Sequence, residues 1–403
     1  MALVRLAVPN RADLDHDACM PPATPRIRFD RHELAGAFGD IGTDLPLLVA
    51  LVATCGLDAA SIFVMFGLLQ IVTGLLYGLP MPVQPLKAMA AIMLAQKLSA
   101  GTFAGGGIVI GLAMLVLTFT GALEWLARVV PREVVRGIQL GLGITLATLA
   151  LKQYVVSDGV PGYVIAAVSA ALLLSMRGKK KIPAPLVVMG LGLVYAFATK
   201  SGLRDLHGVV GLRLPKLTVP TPHELSQGAL LLALPQIPLS IGNSVLATSQ
   251  TTQDLFPERP VPVRKIGLTY ALMNLVAPWF GGAPACHGCG GLVGFYGFGA
   301  RTGGAPVIYG SMYLIFGLFL APGLGKVVGL FPMPVLGVVL AFEAVALMAL
   351  VRDVASDKGK VWIAVAVAAM VVGFSYGYLI GLVVGTLMAY AMKRGVLAQP
   401  GAQ

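Results

Sequence analysis

The residues with most chemical capacity lie in a few short stretches. In PACHGCGGLVGFYGFGAR, residues 284–301, Cys286 and Cys289 flank His287, and Gly288, Gly290 and Gly291 crowd the same few positions. A C-x-x-C pair beside a histidine can hold zinc or exchange disulfides. Here no second pair exists, Cys19 and Cys55 being isolated, and C-H-G-C is not the order of a haem attachment. The other chemistry is anion binding. A helix beginning after Pro284 would aim unpaired backbone amides at a ligand, and glycines would leave those amides uncovered. His287 and Cys289 would then pack beside the cavity or line it.

A second stretch has the same character. In PMPVQPLKAMAA three prolines precede an alanine-rich run, so a helix should start near Pro85, following Gln84. A helix start inside a membrane presents unpaired amides and about half a positive charge. Lys87, in that first turn, opposes the dipole and calls for a negative partner, either a carboxylate or a bound anion. The alternative is that its ammonium snorkels to the cytoplasmic interface.

Carboxylates appear in GAFGDIGTDLP, with Asp40, Thr43 and Asp44, and in VVLAFEAVALM, with Glu343. A carboxylate inside an apolar run is a candidate for proton or cation coupling. Equally, one of the aspartates could cap a broken helix or pair with Lys87. In LPQIPLSIGNSVLATS, Gln236, Ser240, Asn243 and Ser244 would line the same cavity, although such residues also join helices.

The elements that must position these residues follow from composition. The 403 residues are 57% hydrophobic and 12% charged, about half the charged fraction of a soluble domain. Long apolar runs imply spanning helices rather than the ~10-residue strands of a barrel. Fourteen apolar segments are expected, the third (84–98) and tenth (286–297) being short. With the N-terminus cytoplasmic, 21 of the 29 Lys and Arg fall in cytoplasmic connections and seven outside, the bias of inner loops. The net charge of +11 therefore reports topology, not nucleic-acid binding. Residues 1–30 form a polar cytoplasmic tail without the apolar core of a secretory signal. The longest connection, 201–227, is extracytoplasmic and divides the segments seven and seven, into 31–200 and 228–392, before a short cytoplasmic tail at 393–403. An odd number per half inverts the second half, the architecture of many secondary transporters. The expectation is an all-α polytopic membrane protein in a 7+7 inverted repeat, with half-helices at segments 3 and 10, and not an enzyme.

The strings GAFGDIGTDLPLLVALV, PVQPLKAMAA and PACHGCGGLVGFYGFGARTGG resemble those of the molybdate transporter family, a branch of the sulfate permease superfamily. The resemblance implies core and gate domains, with segments 1, 3, 8 and 10 in the core. It also implies a substrate held between the starts of segments 3 and 10, matching at Gln84, Pro85, Lys87, His287, Gly288 and Gly290. Cys289 departs from the small apolar residue expected at its position. The implied activity is ion-coupled import of a tetrahedral oxyanion, molybdate before tungstate or sulfate, by alternating access, with a proton or sodium as driver and no cofactor. The partners are then the oxyanion and the lipid bilayer, with a homodimer as an open option. The setting is a bacterial inner membrane, with both termini cytoplasmic. The other readings are a sulfate carrier, a nucleobase symporter of the same fold, or an anion channel. A nucleobase would require carboxylates to accept its N–H groups, and 228–248 and 286–297 contain none.

Overall fold

The computed structural model describes residues 27–176, 184–199, 210–323, 332–374 and 376–395. Most of the 1–30 tail, the end of the 393–403 tail and the beginning of the 201–227 connection lie outside the described residues. So do the side chains of Thr43 and Glu343, although both residues sit in described helices.

The described chain is helical apart from one pair of two-residue strands. Helices α1 (Arg31–Ala37), α2 (Ile41–Cys55) and α3 (Ala59–Tyr77) precede strand β1 (Gln84–Pro85) and α4 (Lys87–Gln96). Next come α5 (Ala100–Thr120), the short α6 (Ala122–Val129), α7 (Arg132–Tyr154), α8 (Gly159–Ser175) and α9 (Ala184–Thr199). After the long connection the order is α10 (Pro222–Leu255), α11 (Val263–Val276), strand β2 (Ala285–Cys286), α12 (Cys289–Gly297), α13 (Gly304–Gly323), α14 (Met333–Ala349), α15 (Lys358–Gly373) and α16 (Gly377–Lys393). Five of them, α3, α5, α7, α10 and α13, are individually long and apolar enough to cross a bilayer.

Two expected boundaries differ. The first apolar segment is not one helix: it breaks at residues 38–40, where Gly39 crosses the backbone of Gly294 so closely that a Cβ would overlap the Gly294 carbonyl. The eighth starts at Pro222 rather than 228, inside the expected connection. Thr221 and Glu224 form a reciprocal capping box there, with Pro222 in the first turn. These residues are polar, so an apolar-run reading passes over them.

Small residues set the packing. Gly67 of α3 and Gly310 of α13 meet backbone to backbone, and Gly137 and Gly141 of α7 receive Val367 and Val371 of α15. Such close approach is how helices associate where no hydrophobic drive separates them from lipid. One set of helices gathers α3 with α13 and α5 with α10 and α11; a second gathers α7 with α14, α15 and α16. Helix ends also meet in consistent groups. The start of α3 is tied to the connection preceding α10 by the Asp58–Lys216 ion pair (2.9 Å), and the starts of α5 and α10 are joined by the Ser99 hydroxyl on Glu224 (2.7 Å). The end of α3 instead meets the first half of α11, the Tyr77 hydroxyl reaching the Lys265 carbonyl (3.3 Å) and Thr269 (2.6 Å).

Candidate functional site

The centre of the first set is a crossing of chain segments. Strand β1 pairs antiparallel with β2, Gln84 opposite Cys286 and Pro85 opposite Ala285, and the Leu86 amide donates to the Pro284 carbonyl at 2.9 Å. Proline and glycine around each strand prevent the helices from running through, so the chain stays extended for a few residues before α4 and α12 begin. Each strand is pinned by a carboxamide from the helix before it. Gln70 of α3 donates to the Val83 carbonyl (2.7 Å) and accepts from its amide (3.2 Å). Asn274 of α11 does the same for Ala285, at 2.6 and 2.9 Å.

A cavity of about 270 Å³ opens where the two helices start. Sequence-predicted residues Gln84, Lys87, Asn243, Ser244, Gly288, Cys289 and Gly290 all line it, as do Gln236 and Cys286. Lys87 is the single charged side chain among the described lining residues, and no carboxylate is among them. Gly290 has open space where its Cβ would be, whereas a Cβ on Gly288 would strike the Gln84 carboxamide. Gly288, at the cap of α12, has no side chain to place on the first-turn amides. The first turn of α4 is covered in part: the Ala88 and Met89 amides donate to Gln236 Oε1 at 3.1 and 3.3 Å. Gln236 Nε2 is anchored on the Ser240 hydroxyl (3.1 Å), which also bonds Tyr270 (2.7 Å). Ser240 therefore stands behind the lining rather than in it. α10 supplies Asn243 and Ser244 from a π-helical stretch, Ser240–Leu246, just after Pro235 and Pro238. Such wide turns are frequent at functional positions.

Pro85 and His287 do not line the cavity. Pro85 belongs to the strand crossing. The His287 ring is fully buried, its Nδ1 on the Pro82 carbonyl (3.0 Å) and its Nε2 on Thr269 Oγ1 (2.8 Å), while its own carbonyl accepts from Thr248 (2.9 Å). It ties four segments together. Both ring nitrogens are thus taken, and among the described residues no three His, Cys, Asp or Glu side chains converge on one point.

The two aspartates divide. Asp40, at the start of α2, makes no capping bond; its carboxylate accepts both contacts of Gln84 Nε2, at 2.8 and 2.7 Å. It therefore stands one residue behind the cavity wall. Asp44, fully buried one turn on, is approached by the Tyr309 hydroxyl at 3.4 Å, beside the Tyr309–Tyr313 contact (3.0 Å).

Five lining residues were not singled out in the sequence: Ala88, Gln139, Leu142, Leu239 and Leu350. Gln139 and Leu142 come from α7, which is regular, amphipathic α-helix as far as Leu149 and has no break near them to mark the site. Beyond the cavity lies a wider vestibule of about 620 Å³, which shares Asn243 with it and is lined by Arg132, Arg136 and Asp353. Arg136 and Asp353 form an ion pair there.

The geometry can be set beside known proteins. A family profile described as "Molybdate transporter of MFS superfamily" matches residues 32–146 and 228–347. Molybdate transporter 1 of Arabidopsis thaliana is 32% identical over 401 residues, covering 88% of this chain and 87% of that protein. Molybdate transporter 2 of the same plant is 31% identical, covering 85% and 83%. Among solved structures, the transmembrane domain of the cyanobacterial bicarbonate transporter BicA superposes with TM-score 0.63 at 16% identity, covering 90% of this chain and 98% of that one. Murine Solute Carrier 26 family member A9, in its inward-facing state, gives 0.70 at 14% identity, covering 96% and 74%. At these identities the likeness is one of fold.

Proposed function

Because the chain belongs to the molybdate transporter family, we propose that it is a secondary carrier importing a tetrahedral oxyanion, molybdate first, through the cavity at the β1–β2 crossing. The observation that carries this reading is the lining: one ammonium, four carboxamides, one hydroxyl, a helix start with glycine at its cap, and no carboxylate among the described residues. Such a surface offers donors to an anion. Its volume is below the roughly 300–1,000 Å³ of sites for drug-sized molecules, which suits a small ion with a few waters.

The dianion would sit between Lys87 and the first turn of α12, with Asn243 and Ser244 completing the shell. Gln236, now on the Ala88 and Met89 amides, would turn aside or share them. Coupling is assigned to Asp40, because its carboxylate holds the Gln84 side chain that lines the site. A cation or proton arriving at Asp40 would change what Gln84 can offer. Asp44, Thr43 and Glu343 remain further coupling candidates, and no cofactor is required.

The architecture proposed with this function is fourteen spans in a 7+7 inverted repeat. What supports it is the antiparallel strand crossing and the matching carboxamide clamps, Gln70 on Val83 and Asn274 on Ala285. Each comes from the helix preceding a short half-helix.

The test is calorimetric titration of molybdate into purified protein, with uptake into proteoliposomes alongside. Lys87→Met, which keeps length and removes charge, should weaken binding by about 2 kcal/mol, roughly thirtyfold, in the range of hydrogen bonds to charged groups. Cys286→Ser should transport like the parent. Unchanged affinity in Lys87→Met together with a dead Cys286→Ser would return the cysteine pair to the centre of the chemistry.

A further inference from the structure

Gln139 has a contact pattern that the packing of α7 does not require. Its side chain is 1% exposed and lines the cavity from the helix set opposite the two half-helices. Its Oε1 accepts from Arg136 Nη1 at 2.8 Å. A guanidinium has donors only, so this contact fixes which end of the carboxamide is oxygen. The other end, Nε2, has no hydrogen-bond acceptor among the described residues. Buried donors are seldom left that way, and an exception asks for a reason. Arg136 in turn is held by Asp353 at the vestibule wall. The series Asp353, Arg136, Gln139 thus ends on an N–H₂ at the cavity.

We propose that Gln139 is a substrate ligand supplied by the facing helix set, its Nε2 donating to an oxygen of the bound oxyanion, with Arg136 and Asp353 as the residues that position it. This rests on the reading of the cavity as an oxyanion site. It adds a contact that exists only when α7 stands against the half-helices, so substrate binding and apposition of the two sets favour one another. The preference is for a ligand that presents acceptors on this side, as a fully deprotonated tetrahedral anion does.

Molybdate titrations of the full-length purified protein test this with two substitutions. Gln139→Glu keeps an oxygen for Arg136 and replaces the donor by a second carboxylate oxygen. Gln139→Met keeps the length and removes both polar ends. If Gln139 only filled space at the wall, Gln139→Met would bind like the parent, since its bulk survives, whereas Gln139→Glu adds like-charge repulsion to the loss of the donor. As a ligand, Gln139→Met should lose about 10- to 100-fold in affinity, and Gln139→Glu more, with the ligand-free unfolding midpoint of the Glu variant at or above that of the parent. Arg136→Lys should weaken binding, and combining it with Gln139→Met should add almost nothing, because both act through one amide. Parent-like affinity in Gln139→Met overturns the assignment, as does parent-like affinity in Gln139→Glu. Additive losses in the double variant overturn the positioning role. A parent chain that binds none of molybdate, tungstate and sulfate overturns the reading of the cavity first, and this inference with it.

Discussion

At the scale of single residues, the glycines at the start of α12 make the sharpest forecast. Gly288 and Gly290 both line the cavity, yet only Gly288 lacks room for a methyl group, since its Cβ would overlap the Gln84 side chain. Gly288→Ala should therefore abolish molybdate binding by driving Gln84 off Asp40, whereas Gly290→Ala should fold and bind nearly as the parent does. Equal loss in both would mean that ligand approach, not the Gln84 contact, governs this turn. Asp40→Asn should remove the acceleration of uptake by an imposed proton or sodium gradient while sparing molybdate exchange; an unaltered gradient response would take coupling away from Asp40. Much of this site was legible in the sequence because interrupted helices announce themselves: proline before Lys87, glycine around Cys289, polar residues amid apolar ones at Asn243 and Ser244. The sequence leaves His287 either packing beside the cavity or lining it, because a histidine among glycines gives one signal for both; here the residue holds four segments together. Gln139 was missed because an orderly helix gives no signal at all.

At the scale of elements, the break between α1 and α2 places a carboxylate where no apolar-run reading would put it. Glu33 of α1, 2% exposed, accepts from the amides of Arg301 (2.9 Å), Thr302 (2.9 Å) and Ala305 (3.0 Å), and so caps α13 from another helix. A carboxylate at a helix start is favoured by both the open amides and the dipole. Glu33→Ala should destabilise the fold by about 3 kcal/mol or more, since three donors lose a charged acceptor, and Glu33→Gln by less because one oxygen remains. Thermal unfolding in detergent would read both, and an unchanged midpoint in Glu33→Ala would show that water serves those amides equally well. Sequence could not reveal this cap, because its partners are 268 residues or more away.

At the scale of the whole molecule, the Lys and Arg bias predicts which side each loop faces. In a cysteine-free background, Lys216→Cys should react with an impermeant thiol reagent only from outside and Lys358→Cys only from the cytoplasm. Both side chains are exposed. Reaction of both from one side would remove the inverted second half. Helix content and membrane character were plain from composition, whereas the division into two helix sets was not, since it depends on small-residue contacts such as Gly67 with Gly310.

The strand crossing has a mechanical consequence. With β1 bonded to β2 and each strand riveted to its preceding helix by a carboxamide, neither half-helix can swing away from the other without shearing several backbone bonds. On the carrier reading proposed above, the binding site would be a rigid cargo hold, shifted whole rather than pried open from alternate ends. The share of affinity that comes from the hold itself would then be the same whichever compartment it faced. Any difference between loading and unloading would have to come from what the hold slides against, which would make the opposing wall, rather than the crossing, the place where direction is decided.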